Sequence, residues 1–251
     1  MTHRRTAQKV LMVLTAAALV VSLAWLGYYI KQYRDADKAF DALAQIAFGE
    51  DVNARDTGDG SAGTGGKGTV NHAALLTLNG DYAAWLRVDG TAISYPVVQS
   101  REPEYYLHRD YYGNYSFPGT IFMDTANSKT FSDTNTLLYG HNMRDGSMFA
   151  PLKKFLAADF FNTYRYIYVD TPDRTLVYEI FAVYETTASR VPNETGVFTP
   201  EQFDEFTGRI NSLAAQSTPI SLTQRDKILT LSTCGYRVKD ARIVVHAKFI
   251  N

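Results

Sequence analysis

Between Val10 and Ile30 the chain reads VLMVLTAAALVVSLAWLGYYI, 21 residues without one charge. At about 1.5 Å per residue such a helix is roughly 30 Å long, the thickness of a bilayer's hydrocarbon core. Helices of soluble folds keep a polar face, and this run has none. It predicts a transmembrane anchor over 10–30 behind a short head, 1–9. A cleaved signal peptide would have a shorter apolar region and a small-residue exit site, whereas this run ends in Trp25, Tyr28 and Tyr29, as an interfacial aromatic belt does. Arg4, Arg5 and Lys9 precede the run, and Lys31, Arg34 and Lys38 follow it, so the basic count alone does not orient the span. A short basic head before a first span favours a cytoplasmic N-terminus and an exported remainder.

After the anchor, Tyr33, Ala36, Phe40, Leu43 and Ala47 recur at helical spacing, which predicts a juxtamembrane helix over 31–48. It would lie on the membrane surface or pack on the folded domain. The stretch 49–69 is rich in Gly, Asp and Thr and lacks large hydrophobes, so it reads as a flexible linker. From 70 to 251 the composition is that of a globular domain. Runs such as TAISYPVV, TIFMD, TNTLLYG, YRYIYVD, TLVYEIFAVYE, KILTLST and ARIVVHAKFI are β-branched or aromatic and are bounded by turn residues. Many short strands of this kind suggest a closed β-barrel. Short helices are expected over 79–88 and 147–161. A further one is expected from Pro200 to about Gln216, with Thr199 as N-cap and Gln202 completing a capping box.

The net charge of −1 argues against a nucleic-acid binder, and a single cysteine rules out an internal disulfide. That thiol, Cys234, ends the strand-like run KILTLSTC. Alternation puts Ile228, Thr230, Ser232 and Cys234 on one face, and Leu229, Leu231 and Thr233 on the other. If the next run forms a hairpin centred on Val238, Cys234 lies opposite Arg242, close enough for the guanidinium to reach the sulfur or a group bound to it. Arg237, in the turn, is the rival cation. A thiol with an ordinary pKa is only a few per cent thiolate at neutral pH and needs a partner. His3 belongs to the head and His72 to the end of the linker. His108 fits surface or core, and His246 lies deeper along its strand. His141, in LLYGHNM between a strand end and a turn, is placed to meet a substrate.

TLSTC with an arginine eight residues on, together with LLYGHNM, resembles the sortases, class B in particular. The likeness continues through WLRVDGTAISYPVVQ, YYL, FPGTIFMD and MFAPL, so it spans about 75–251. The helix expected at 200–216 is similar to the insertion that sets class B apart. The resemblance implies an eight-stranded β-barrel with a few peripheral helices, and a membrane-anchored cysteine transpeptidase on a Gram-positive cell surface. By motif, Cys234 would be the nucleophile, His141 the acid–base partner and Arg242 the electrostatic stabiliser. The implied reaction cleaves a Thr–Gly or Thr–Asn bond in an LPXTG-like or NPXTG-like sorting signal of a surface protein through a thioester. The acyl group passes to an amine of a peptidoglycan precursor, or to a pilin lysine if the enzyme polymerises pilins. Ser232 matches a pocket-lining position and Tyr139 and Leu107 match groove-lining ones; Thr233, in the same string, is grouped with them as substrate-binding. Glu102-Pro103 and Gly235 depart from the family pattern.

Other cysteine peptidases fit less well. Papain-like enzymes place Cys before His, usually opening a helix, and the trypsin-like ones need two barrels. A non-catalytic surface barrel that binds through its groove is the alternative from another class. No cofactor and no metal are expected, because no His or carboxylate cluster has ligand spacing and Asp124, Asp133 and Asp145 read as turn residues.

Overall fold

The computed structural model describes residues 2–49, 69–234 and 240–251. Its first element is one unbroken helix, α1 (Thr2–Phe48). It is long and apolar enough to cross a membrane, and its most apolar stretch is left unburied by the described residues. The helix changes character along its length. Phe40, Leu43, Ala44 and Ala47, at the i, i+3, i+4, i+7 spacing of one face, are buried in the main core. Phe40 meets Tyr95 edge-on, with ring centroids 5.1 Å apart, and Phe48 meets Trp85 at 5.2 Å. The Asn71 N–H donates to the Ala47 carbonyl at 2.8 Å. The two ends of the Gly-rich stretch therefore meet, while residues 50–68 lie outside the described part.

Nine strands follow: β1 (Tyr82–Val88), β2 (Ser94–Val98), β3 (Ile121–Met123), β4 (Asn135–Gly140), β5 (Tyr166–Asp170), β6 (Thr175–Thr187), β7 (Gln216–Ser217), β8 (Ile228–Cys234) and β9 (Ala241–Phe249). They pair in the order β5-β1-β2-β3-β4-β8-β9-β6, and β6 returns to β5. Eight strands thus close a barrel, and the two-residue β7 hangs on β6. Closure removes the exposed edges that an open sheet would present. Alternation divides β8 and β9 between two cores. Leu229, Leu231, Ile243, Val245 and Ala247 fill the barrel. Ile228 and Val244 face outward, under α4 (Pro200–Leu213), whose Phe203, Phe206 and Ile210 form a buried stripe. The capping box of α4 is complete: Gln202 N–H donates to Thr199 Oγ1, and Thr199 N–H to Gln202 Oε1. Such a cap stabilises by about 1 kcal/mol.

Two expected helices are corrected. Residues 82–88, read as helical from Ala-Ala-Trp-Leu-Arg, form β1, flanked by β2 and β5. Six of its seven residues are buried, so neither periodicity is visible, and pairing on both edges overrides helix propensity. The segment 147–161 is not one helix. Ala150–Leu156 is 3₁₀, Ala157 is extended, and α3 (Ala158–Thr163) follows. Phe149, Leu152 and Phe155 are all fully buried, and their three-residue spacing is the period of a 3₁₀ helix. The remaining helix, α2 (His72–Leu78), precedes β1 and is capped by Asn71.

Candidate active site

The register of three strands brings the expected residues together. β4 and β8 run parallel, with Tyr139 opposite Ser232 and Gly140 opposite Thr233. One step further, His141 stands level with Cys234. β8 and β9 run antiparallel, and Cys234 pairs with Arg242. Adjacent strands lie about 4.8 Å apart, so the Cys and Arg positions on β8 and β9 and the His position one residue past the end of β4 fall at one level by continuation of the register. The parallel pairing matters, because it makes both β4 and β8 end at the same pole of the barrel. The hairpin register inferred from a turn centred on Val238 is the one observed, while Arg237 lies outside the described residues.

His141 is held from several sides. Gly140 precedes it because a Cβ there would sit 2.4 Å from Ile121 Cδ1 and 2.8 Å from Phe149 Cδ2. The His141 carbonyl accepts from Phe149 N–H at 2.9 Å. Its ring Nε2 lies 2.9 Å from the Leu107 carbonyl oxygen, which can only accept, so Nε2 carries the proton and donates. Nδ1 is then the nitrogen left for proton transfer. Gly119, with φ +61°, lets the chain approach Leu107: a Cβ there would fall 2.3 Å from that same carbonyl oxygen. Burial lowers the imidazole pKa below its ordinary value. The Leu107 carbonyl opposes this, and the nearby His108 and Arg242 add to the lowering. At neutral pH the resting His141 is therefore predominantly neutral.

His108 was left open between surface and core by the sequence. It is exposed, and its ring stacks on His141 with centroids 5.2 Å apart and planes 27° apart. The signal that could have found it is its place beside Leu107 in the segment Tyr105–His108. Ser232, only 2% exposed, forms the floor next to the Cys234 level. Tyr139 is half-buried, stacks near Phe122 at 5.3 Å and donates its hydroxyl to Asp124 Oδ2 at 3.0 Å. Desolvation and then Asp124 raise its pKa, and Arg242 opposes them. Leu107 reaches the site through its backbone carbonyl, with its side chain packed on the core. Thr233 does not join this group. It pairs with Gly140 and Ile243 on the other face of β8, and its buried hydroxyl has no partner among the described residues. Strand alternation, not chain proximity, decides that separation. Among the described residues no group of three His, Cys, Asp or Glu could hold a metal ion.

Such a site, on such a barrel, has close relatives. A family model described as the sortase domain matches residues 86–250. The sortase B of Listeria monocytogenes is 36% identical over 178 residues, covering 70% of this chain and 72% of that protein. The crystal structure of sortase B from Bacillus anthracis in complex with AAEK1 superposes with a TM-score of 0.74 at 33% identity, over 88% of this chain and 99% of that one. A Staphylococcus aureus sortase B–substrate complex gives 0.67 at 30% identity, over 71% and 84%. Family model, relatives and barrel agree: this chain belongs to the sortase family, as a class B cysteine transpeptidase.

Proposed function

We propose that Cys234 is the nucleophile, His141 the proton-transfer group and Arg242 the electrostatic clamp of this transpeptidase. The observation that supports the reading is the pairing of Gly140, just before His141, with Thr233, just before Cys234, together with the pairing of Cys234 with Arg242. The Cys234 thiol passes its proton to His141 Nδ1, the resulting thiolate attacks the carbonyl carbon of the scissile bond in a C-terminal sorting signal, and a C–S bond forms. Arg242 hydrogen-bonds the developing oxyanion or the substrate backbone, a contribution of about 2.7–4 kcal/mol where single donors of this kind have been removed. His141 Nδ1–H protonates the leaving amine as the C–N bond breaks, which leaves a thioester. An incoming amine then attacks the thioester and gives its proton back to Nδ1, and the thiolate departs. Through all of this Nε2 keeps its bond to the Leu107 carbonyl, so the ring need not turn between steps. Tyr139, Ser232 and Leu107 border the substrate channel.

The substrates under this reading are surface proteins with LPXTG-like or NPXTG-like signals, and the acceptor is an amine of a cell-wall precursor. Residues 10–30 anchor the enzyme with its head in the cytoplasm and the barrel outside. The test is to incubate the full chain in detergent with peptides of both signal types and follow intact mass. An adduct equal to the acyl fragment through Thr is expected, discharged by added amine and absent from Cys234→Ala. A thiol that resists alkylation and forms no adduct would overturn the assignment.

A further inference from the structure

The path of α1 along the barrel has a direction. Phe48, at its end, packs on Trp85, and Phe40 packs on Tyr95, whose hydroxyl accepts from the Met148 N–H in the loop that follows His141. Further back toward the N-terminus, Tyr33 and Tyr29 both lie edge-on to Phe117, at 6.0 and 5.6 Å. Phe117 belongs to the segment between Tyr105 and β3 that lays Leu107 and His108 against His141. The helix therefore climbs the barrel toward the pole where β4 and β8 end, and the uncharged run begins there. By the chain of contacts from His141 through Leu107 and Gly119 to Phe117 and Tyr29, the imidazole is at most about 25 Å from Tyr29, the next-to-last residue of that run.

The same segment carries aromatic side chains that the described residues leave largely exposed. Tyr112 is 46% and Tyr115 64% exposed. They flank a turn fixed by Asp110, which accepts from the Tyr112 and Asn114 N–H groups, and by a bridge between Arg109 and Tyr115. Tyrosines of this kind, with an apolar ring and a polar tip, favour the headgroup layer of a bilayer, as Trp25, Tyr28 and Tyr29 on α1 do.

We propose that the segment 111–117 rests in the membrane interface through Tyr112 and Tyr115, so that the active-site pole of the barrel faces the bilayer from which α1 emerges. The occupant of this surface is the lipid headgroup layer itself. The inference rests on the reading of 10–30 as the anchor and of His141 as part of the site. On this arrangement a sorting signal need not leave the neighbourhood of the membrane to reach Cys234. The last turns of α1, before the Gly-rich stretch, are themselves packed on the barrel.

The single native thiol makes the test direct. In a Cys234→Ala background, Tyr115→Cys carries an environment-sensitive fluorophore, and Asp173→Cys, in the β5–β6 turn at the opposite pole, carries the same label. The full chain is reconstituted in phosphatidylcholine–phosphatidylglycerol vesicles that contain lipids with a nitroxide at the headgroup. Quenching at 115 is expected to exceed that at 173 severalfold. Trp25, with Trp85 fully buried, reports the anchor separately through brominated acyl chains. Quenched Trp25 with equal quenching at 115 and 173, or stronger quenching at 173, overturns the proposal and leaves the anchor standing. Unquenched Trp25 overturns the anchor and the proposal with it. Should Tyr115→Cys fail to fold, Asn114→Cys in the same exposed turn reads the same depth.

Discussion

Two histidines stand on the outer face of one sheet, and the protein treats them in opposite ways. His246, on β9, is fully buried beneath α4. Thr230 spends its hydroxyl hydrogen on Asn135 Oδ1, so His246 Nδ1 must donate to Thr230 Oγ1, at 2.8 Å. Nε2 then accepts from the Tyr184 hydroxyl, also at 2.8 Å. Both nitrogens are used, one tautomer is fixed, and burial pushes the pKa down to about 3. His141, at the open end of the same face, carries its proton on Nε2 and keeps Nδ1 clear of the described residues. A buried and fully bonded histidine holds strands together. A partly open one with a nitrogen to spare can move a proton. The chemistry follows from what the neighbours leave unused, not from residue type.

The sharpest way to break this comparison is to remove each imidazole in turn. His141→Gln is expected to lower transpeptidation by about 10³–10⁴-fold, the scale of losing one member of a catalytic set. Its thermal stability should stay within about 0.5 kcal/mol of the parent, because the ring is not core packing. A stability loss of several kcal/mol would show that His141 is structural after all. Peptide turnover and a denaturant titration of the same preparation separate the two.

His246→Ala is expected to do the reverse. It leaves Tyr184 and Thr230 without their partner in a closed core, which costs about 3 kcal/mol, while turnover per folded molecule stays near the parent value. The pH dependence carries the same signature. Because the folded pKa lies below the unfolded one, the unfolded chain binds more protons between about pH 6.5 and 3. Stability from this group is complete above pH 6.5 and is lost as pH falls toward 3, by up to about 1.4 kcal/mol per unit. A His246→Phe protein should lack that slope. If its acid unfolding matches the parent, His246 does not titrate as described. Next in size is Arg242→Lys, which keeps the charge but loses the planar fork. A fall of about 10² in kcat, with little change in stability, is expected from steady-state kinetics.

The two histidines were unequally legible in the sequence. The glycine before His141 and the turn after it marked an accessible strand end. The Cys234–Arg242 register was reachable only by assuming a hairpin centred on Val238, since a slip of one residue would have broken it. His246 could be placed on its strand, but its burial depended on α4 arriving from a distant part of the chain. The capping box announced α4 itself, yet nothing local said which face it would cover. β1 was hidden for the same reason: Trp85 and Leu86 look helical until β2 and β5 flank them. Thr233, already placed by alternation on the face opposite Cys234, lies there in the structure, opposite Gly140 and Ile243. His108 was missed because stacking joins the loop before β3 to the end of β4, a contact no spacing rule encodes.

That stack supports the smallest and most discriminating prediction. His108 is exposed, so its interaction with His141 is screened, and its removal should not disturb the core. A positive charge on His108 disfavours a second positive charge on His141, as does Arg242 behind it. His108→Gln removes the first and keeps the second. The imidazole of His141 should then hold its proton to higher pH. NMR titration of the His141 ring should show the upward shift, and the alkaline limb of the kcat/KM profile should move the same way. The change in rate at neutral pH should be only about two- to threefold, the scale of an exposed charge pair. His108→Lys, which retains a charge without the stack, separates electrostatics from ring packing. If Lys restores the parent profile, charge is the lever. If both variants shift alike, the flat contact of the rings sets the environment of His141, and the difference between the two histidines rests on packing at both ends of the sheet.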